Sequence, residues 1–209
     1  FNCCSAPKTG FEPCTPDTVK ATLDRYHDLG VRALFLVHKY DNAFSAGDGS
    51  GGIIELGNFL NSGHYSNFVQ DCPGPKETFD HGEVTFGGLN KPRDTYDAPP
   101  PVDMSGFEDD LLGSILPFTS AIVAPPLQGD YCQKHGMTPL GETLMLELMK
   151  RGMLIDIAHL PQRATARAYE LLEENDYPAT KTHNQSTGGR IYALGGLTGF
   201  GFSRCGDPD

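Results

Sequence analysis

The sequence predicts an α/β fold with parallel strands, and three or four βα units are visible, about half of an eight-stranded barrel. Two observations lead there. Helix-like and strand-like segments alternate over 16–37 and again over 138–200, the order expected of βα units rather than of a bundle or sandwich. In addition, two short apolar runs each close on a histidine that loop residues follow at once. One is Met153-Leu154-Ile155-Asp156-Ile157-Ala158-His159 before Leu160-Pro161, and the other is Ala179-Thr180-Lys181-Thr182-His183 before Asn184. With a helix-like segment between them, both imidazoles belong at the carboxyl edge of a parallel sheet, where such folds bind metals and ligands.

The elements follow in order. Residues 16–29 read as a helix that Thr15 or Pro16 starts, with Val19, Leu23 and Tyr26 on one face and Gly30 as its stop. Residues 31–37 follow as a strand apolar on both faces, ending at His38. A short helix is expected over 51–60, on Ile53, Ile54, Leu56 and Leu60. From 63 to 135 periodicity is scarce, and Pro73, Pro75, Pro92 and Pro99-Pro100-Pro101 break any long element. So long an irregular stretch is expected to be a loop insertion in one domain spanning 1–209. Order resumes at Thr138, an N-cap candidate, with Pro139 at the first helical position and Glu142 near the capping-box site. Leu140, Leu144, Leu148 and Met149 make the helical stripe, and Gly152 ends it. The 153–158 strand comes next, then a helix over 161–174 with Ala164, Ala168, Leu171 and Leu172 inward. A short strand ends at His183, a turn or helix surrounds Arg190, and 195–200 offers a last strand.

Composition narrows the function classes. The apolar fraction is 38%, with 25 Gly and 16 Pro, which fits a modest core carrying long loops. Sixteen Lys and Arg against 27 Asp and Glu give a net charge of −11 without a basic cluster, so nucleic acid and anionic membranes are not expected partners. No apolar run approaches the roughly 20 residues of a membrane span. Cys3, Cys4, Cys14, Cys72, Cys132 and Cys205 sit mainly in loop-like stretches without a C-x-x-C pair or a zinc-ribbon spacing, a usage that favours disulfides and an extracellular or secreted setting over a set of unpaired thiols. The N-terminus carries no signal-peptide core, so a signal is expected upstream and the chain is read as the central part of a longer enzyme.

His38, His159 and His183 end three strands in the same way. Neutral imidazoles suit zinc, which takes about three protein ligands and a water in catalytic sites. Asp156 differs from His159 by an odd number of positions, so in a regular strand it faces the other way and reads as a buried polar contact rather than a ligand. Asn184-Gln185-Ser186 matches a glycosylation sequon, but directly after a candidate ligand it is expected to stay unmodified.

The stretch 137–160 (MTPLGETLMLELMKRGMLIDIAHL) and the segment Leu29-Gly30-Val31-Arg32-Ala33-Leu34-Phe35-Leu36-Val37-His38, with Asn42 beyond it, resemble the membrane (renal) dipeptidase family. The match covers about 16–62 and 132–202. Members are distorted TIM barrels of the amidohydrolase superfamily that cleave dipeptides with two zinc ions and a metal-bridging hydroxide. The resemblance implies a TIM-barrel-like fold, His159 and His183 as metal ligands, His38 as the catalytic, substrate-facing imidazole, and Arg190 as a substrate-carboxylate contact. Arg190 stands closer to His183 than the family arginine would.

The chain departs from the family pattern in three places. No H-x-D triplet for the other zinc occurs; Glu12 does not sit in a convincing strand, so the bridging Glu is expected upstream; the late proton-handling Asp is expected beyond Asp209. The leading reading is a zinc-dependent hydrolase cleaving a dipeptide-like amide bond, little active as this segment alone. The alternatives are another ester, lactone or amide hydrolase of the superfamily, or a non-catalytic extracellular binding module that lost its metals.

Overall fold

The computed structural model describes residues 14–48, 68–69, 71–72, 80, 132–183 and 188–199. The helix expected over 51–60, most of the 63–135 stretch, the sequon and Glu12 lie outside the described residues.

Helix α1 (Pro16–Asp28) begins where the sequence placed it. The Thr15 hydroxyl accepts the Thr18 N–H (3.2 Å), and the Thr18 hydroxyl accepts the Thr15 N–H (2.8 Å), a reciprocal capping box. Its inward face buries Val19 and Leu23. Strand β1 (Ala33–Phe35) is shorter than the 31–37 run and is not buried on both faces: Ala33 and Phe35 are exposed while Leu34 packs against the core. Strands β2 (Phe68–Val69) and β3 (Cys132–Gln133) pair antiparallel and are tied by the Cys72–Cys132 disulfide, which spans 60 positions.

Helix α2 (Pro139–Lys150) is capped by the Thr138 hydroxyl, which accepts the Gly141 N–H (3.1 Å). Because Gly141 occupies the third helical position, the expected role of Glu142 in a capping box is not realised. Its carboxylate instead makes a two-pronged contact with Arg167 (2.9 and 3.0 Å), which holds Glu142 below the usual carboxylate range and joins α2 to the next helix. Gly152, at φ +63°, takes the left-handed turn that ends this helical segment. Strand β4 (Leu154–Asp156), helix α3 (Gln162–Glu174), strand β5 (Thr180–Lys181), helix α4 (Gly188–Ala193) and strand β6 (Leu197–Thr198) complete the order.

Strands β1, β4, β5 and β6 form one parallel sheet in that order. The chain is therefore a mixed α/β structure built on a parallel sheet, with four helices among the described residues. Val19 and Leu23 of α1, Leu144, Met145 and Leu148 of α2, Ile155 of β4, Ala164, Ala168, Leu171 and Leu172 of α3, and Ile191 of α4 share one core. Each fully buried Leu or Ile side chain contributes about 1.5–3 kcal/mol relative to exposure. Leu154, neighbour of Ile155 and hence on the other face, is 49% exposed. The two-sided burial expected of the 31–37 run fails for the same reason: the described helices cover one face of the sheet.

The N-terminus of α3 needs help, because its N-cap, Pro161, offers no side-chain hydrogen bond. Asp80 supplies it. Its buried carboxylate accepts the Gln162 N–H (2.6 Å) and the Gln133 N–H (2.7 Å), pinning β3 to the start of α3. Burial pushes this carboxyl up to about 7, against the pull of the two N–H donors. A carboxyl with a raised folded-state pKa favours the folded state most at pH below its ordinary value of about 4, and that advantage fades as pH rises to about 7. Denaturant unfolding between pH 4 and 8 should show this decline in the wild type. Asp80→Ala should cost roughly 1–3 kcal/mol at pH 5 by leaving two buried N–H groups unpaired, and should lose the decline. The same pH slope in the variant would count against the assignment.

Candidate metal centre

The parallel register sets the geometry of the site. Phe35 of β1 stands opposite Asp156 of β4, and Asp156 stands opposite Thr180 of β5. Each of these three residues is followed three positions later by a histidine: His38, His159 and His183. Neighbouring parallel strands thus deliver three imidazoles to one carboxyl edge. Their ring centroids lie 4.5 Å apart for His38 and His159, 5.0 Å for His159 and His183, and 6.4 Å for His38 and His183. One nitrogen from each lies within 4.8 Å of the others, a group able to hold a metal ion.

His159 is the most constrained of the three. Its φ of 65° is a left-handed conformation that non-glycine residues adopt rarely. The strand has already ended at Asp156, so the alternation expected of a regular strand does not govern which way His159 points. Its side chain is 10% exposed. Nδ1 lies 3.2 Å from Asp48 Oδ2, whereas the buried Nε2 has no hydrogen-bond partner among the described residues. A buried imidazole nitrogen left without a partner is costly unless something else satisfies it. A cation with an affinity for nitrogen would do so, and the neighbouring imidazoles supply further donors of the same chemistry. These residues fit a metal.

His38 is exposed, yet partial burial, the imidazole of His159, Lys39 and the imidazole of His183 together hold it below the ordinary histidine range, with Asp48 opposing. The neutral form that metal ligation requires is thereby favoured. Phe35 flanks all three rings. It stacks on His183 at 5.8 Å with an interplanar angle of 13°, and lies 6.1 Å from His159 and 6.4 Å from His38.

Asp156 is a buried polar contact, as the sequence suggests, and its partners are specific. Its Oδ1 accepts the N–H of Ala158 (2.9 Å) and of Thr182 (3.3 Å), and its Oδ2 accepts the Thr182 hydroxyl (2.6 Å). Ala158 and Thr182 each directly precede a histidine of the cluster, so one carboxylate fixes the approach of two of the three imidazoles.

Arg190 does not join them. Its guanidinium is held by both oxygens of Glu173 in the last turn of α3 (2.6 and 3.0 Å) and lies 4.4 Å over the Tyr169 ring. A substrate-carboxylate role would require it to leave this pair. Phe35, Asp48 and Lys39 escape sequence reasoning. Phe35 could have been found from the shared offset of three positions, but only with the register known. Asp48 follows Gly47 in a loop with no periodicity to place it.

Comparison of the chain with protein-family models, curated proteins and solved structures returns no match.

Asp156→Ala should destabilise the fold by roughly 1–3 kcal/mol in denaturant unfolding, because two N–H groups and a hydroxyl lose their buried acceptor. A stability within about 0.5 kcal/mol of wild type, the range of an ordinary surface substitution, would show that the carboxylate does not join the two strand ends.

Proposed function

We propose that the protein is a metal-dependent hydrolase, with zinc as its ion and a dipeptide-like amide bond as its substrate. The observation that carries this reading is the convergence of three strand-end imidazoles on a point where the buried Nε2 of His159 has no hydrogen-bond partner among the described residues. The choice of zinc and of a dipeptide rests on the resemblance of 137–160 and of the segment ending at His38 to the membrane dipeptidases. Under that resemblance the sheet belongs to a TIM-barrel-like domain, and the exposed side chains of Ala33, Phe35, Leu154 and Leu197 would face its interior. An extracellular or secreted setting accords with the Cys72–Cys132 disulfide.

In this reading His159 and His183 hold the ion, which when bound polarises the scissile carbonyl and lowers the pKa of the attacking water. The chain's own residues do the rest. His38, kept largely neutral, is exposed on the same edge and can donate a hydrogen bond to the substrate's carbonyl oxygen as negative charge develops there. Phe35 gives the site an apolar wall beside the imidazoles.

Elemental analysis tests the metal assignment. Wild-type protein purified without chelator should carry zinc, and His159→Ala and His183→Ala should each lose most of it. Equal metal content in wild type and both variants would remove the basis of the proposal.

A further inference from the structure

We infer that Asp48 is a positioning residue for His159: it fixes the imidazole in the form that carries its hydrogen on Nδ1 and leaves Nε2 free to bind a metal ion. The consequence for metal binding rests on the reading above, but the positioning itself stands on geometry alone.

Asp48 meets His159 at two points. Its backbone N–H donates to the His159 carbonyl oxygen (2.9 Å), and its Oδ2 lies 3.2 Å from Nδ1. An ionised carboxylate only accepts hydrogen bonds, so Nδ1 must bear the hydrogen, and in a neutral ring the lone pair then resides on Nε2. That atom is the buried one without a hydrogen-bond partner among the described residues. A carboxylate behind a metal-binding imidazole orients the ring and raises its basicity.

The loop from His38 is built to return Asp48 to this place. Asn42 organises its first part: its Nδ2 donates to the Leu36 carbonyl oxygen (3.0 Å), and its Oδ1 accepts the N–H of Phe44 (2.8 Å) and of Ser45 (3.1 Å). Asp41 accepts the Gly47 N–H (2.8 Å). A Cβ at Gly47 would stand 2.6 Å from the Lys39 carbonyl oxygen, so a residue without a side chain is needed where the returning chain crosses. Lys39 then lies 3.0 and 3.1 Å from the two Asp48 oxygens, which restrains the carboxylate on its other side. Lys39 and the backbone bond hold Asp48 in place, and its contact with Nδ1 restrains the His159 ring.

The test has two arms. In the metal-free protein at pH 8, nitrogen-15 NMR of the histidine rings should find His159 with its hydrogen on Nδ1, and Asp48→Ala should shift it toward the Nε2–H form. Titration with Co²⁺ should give roughly 10–100-fold weaker binding and an altered visible spectrum in Asp48→Ala. Asp48→Asn, whose amide oxygen can still accept from Nδ1, should recover most of the affinity. A wild-type His159 carrying its hydrogen on Nε2 would overturn the inference. So would Asp48→Ala with wild-type affinity and spectrum when His159→Ala has lost Co²⁺ binding. If the wild type takes up no Co²⁺ but the NMR result is as expected, the metal reading fails while the positioning role of Asp48 is upheld.

Discussion

The carboxylate of Asp156 is the contact on which the arrangement of the site depends. It ends β4, lies in register with both Phe35 and Thr180, and bonds the backbone just before His159 and just before His183. Parallel strands paired by so few residues tolerate errors of register, and in a strand a shift of one residue would send side chains to the opposite face. A buried acceptor that only one register can satisfy makes such a shift expensive, since the displaced oxygens would remain desolvated without donors. Cohesion of the sheet edge and spacing of the imidazoles are thus secured by the same side chain.

Around this contact the local costs gather on one residue. His159 adopts a left-handed backbone conformation, lies close to two other basic rings and buries a nitrogen with no partner among the described residues. Each feature is unfavourable in isolation, and together they represent several departures from what stability alone would select. The compensations are visible nearby: Asp48 accepts from one ring nitrogen and Asp156 anchors the preceding residue, while Leu160 and Ala158 on either side are buried in the core. Strain held this firmly by its surroundings is characteristic of sites that bind something. A surface histidine would relax instead.

Much of the fold was legible in the sequence because its signals are local. Thr15, Thr138, Gly30 and Gly152 mark helix ends by side-chain oxygens and left-handed backbone that need no tertiary context. The stripe of Leu144 and Leu148, and that of Ala164, Ala168, Leu171 and Leu172, identify inward faces by spacing alone. Three strand-end histidines could be located in the same way. What the sequence could not convey depends on pairing across the sheet. Apolar residues at 31–37 look alike on both faces, and only the placement of the helices decides that Leu34 is covered while Ala33 and Phe35 are exposed. The Asp48–His159 contact joins residues 111 positions apart, and the Asp80–Gln162 bond spans 82, so neither leaves a periodic trace. Arg190 shows the converse difficulty. A guanidinium near a candidate site invites a carboxylate ligand, but Glu173, one helix earlier, is a carboxylate the chain already supplies.

The face of the sheet that the described helices leave open bears on how the site would work. Purely parallel sheets are buried on both faces in proteins, because an apolar face left in water forfeits the main driving force for folding. Here Ala33 and Leu154 form one in-register pair of exposed residues, and Leu197 stands opposite Thr180 in the row that also holds Phe35 and Asp156. Closure of such a sheet into a barrel, as the proposed reading requires, would place this face inside and the histidine edge at one mouth. Phe35 would then belong to two environments, the top of the barrel interior below and the imidazole cluster above. Its stacking on His183 would couple interior packing to the position of a ligand. A change of side-chain volume at Phe35 should accordingly be felt at the site before it is felt in the helical layer, which packs against the opposite face through Leu34 and Ile155.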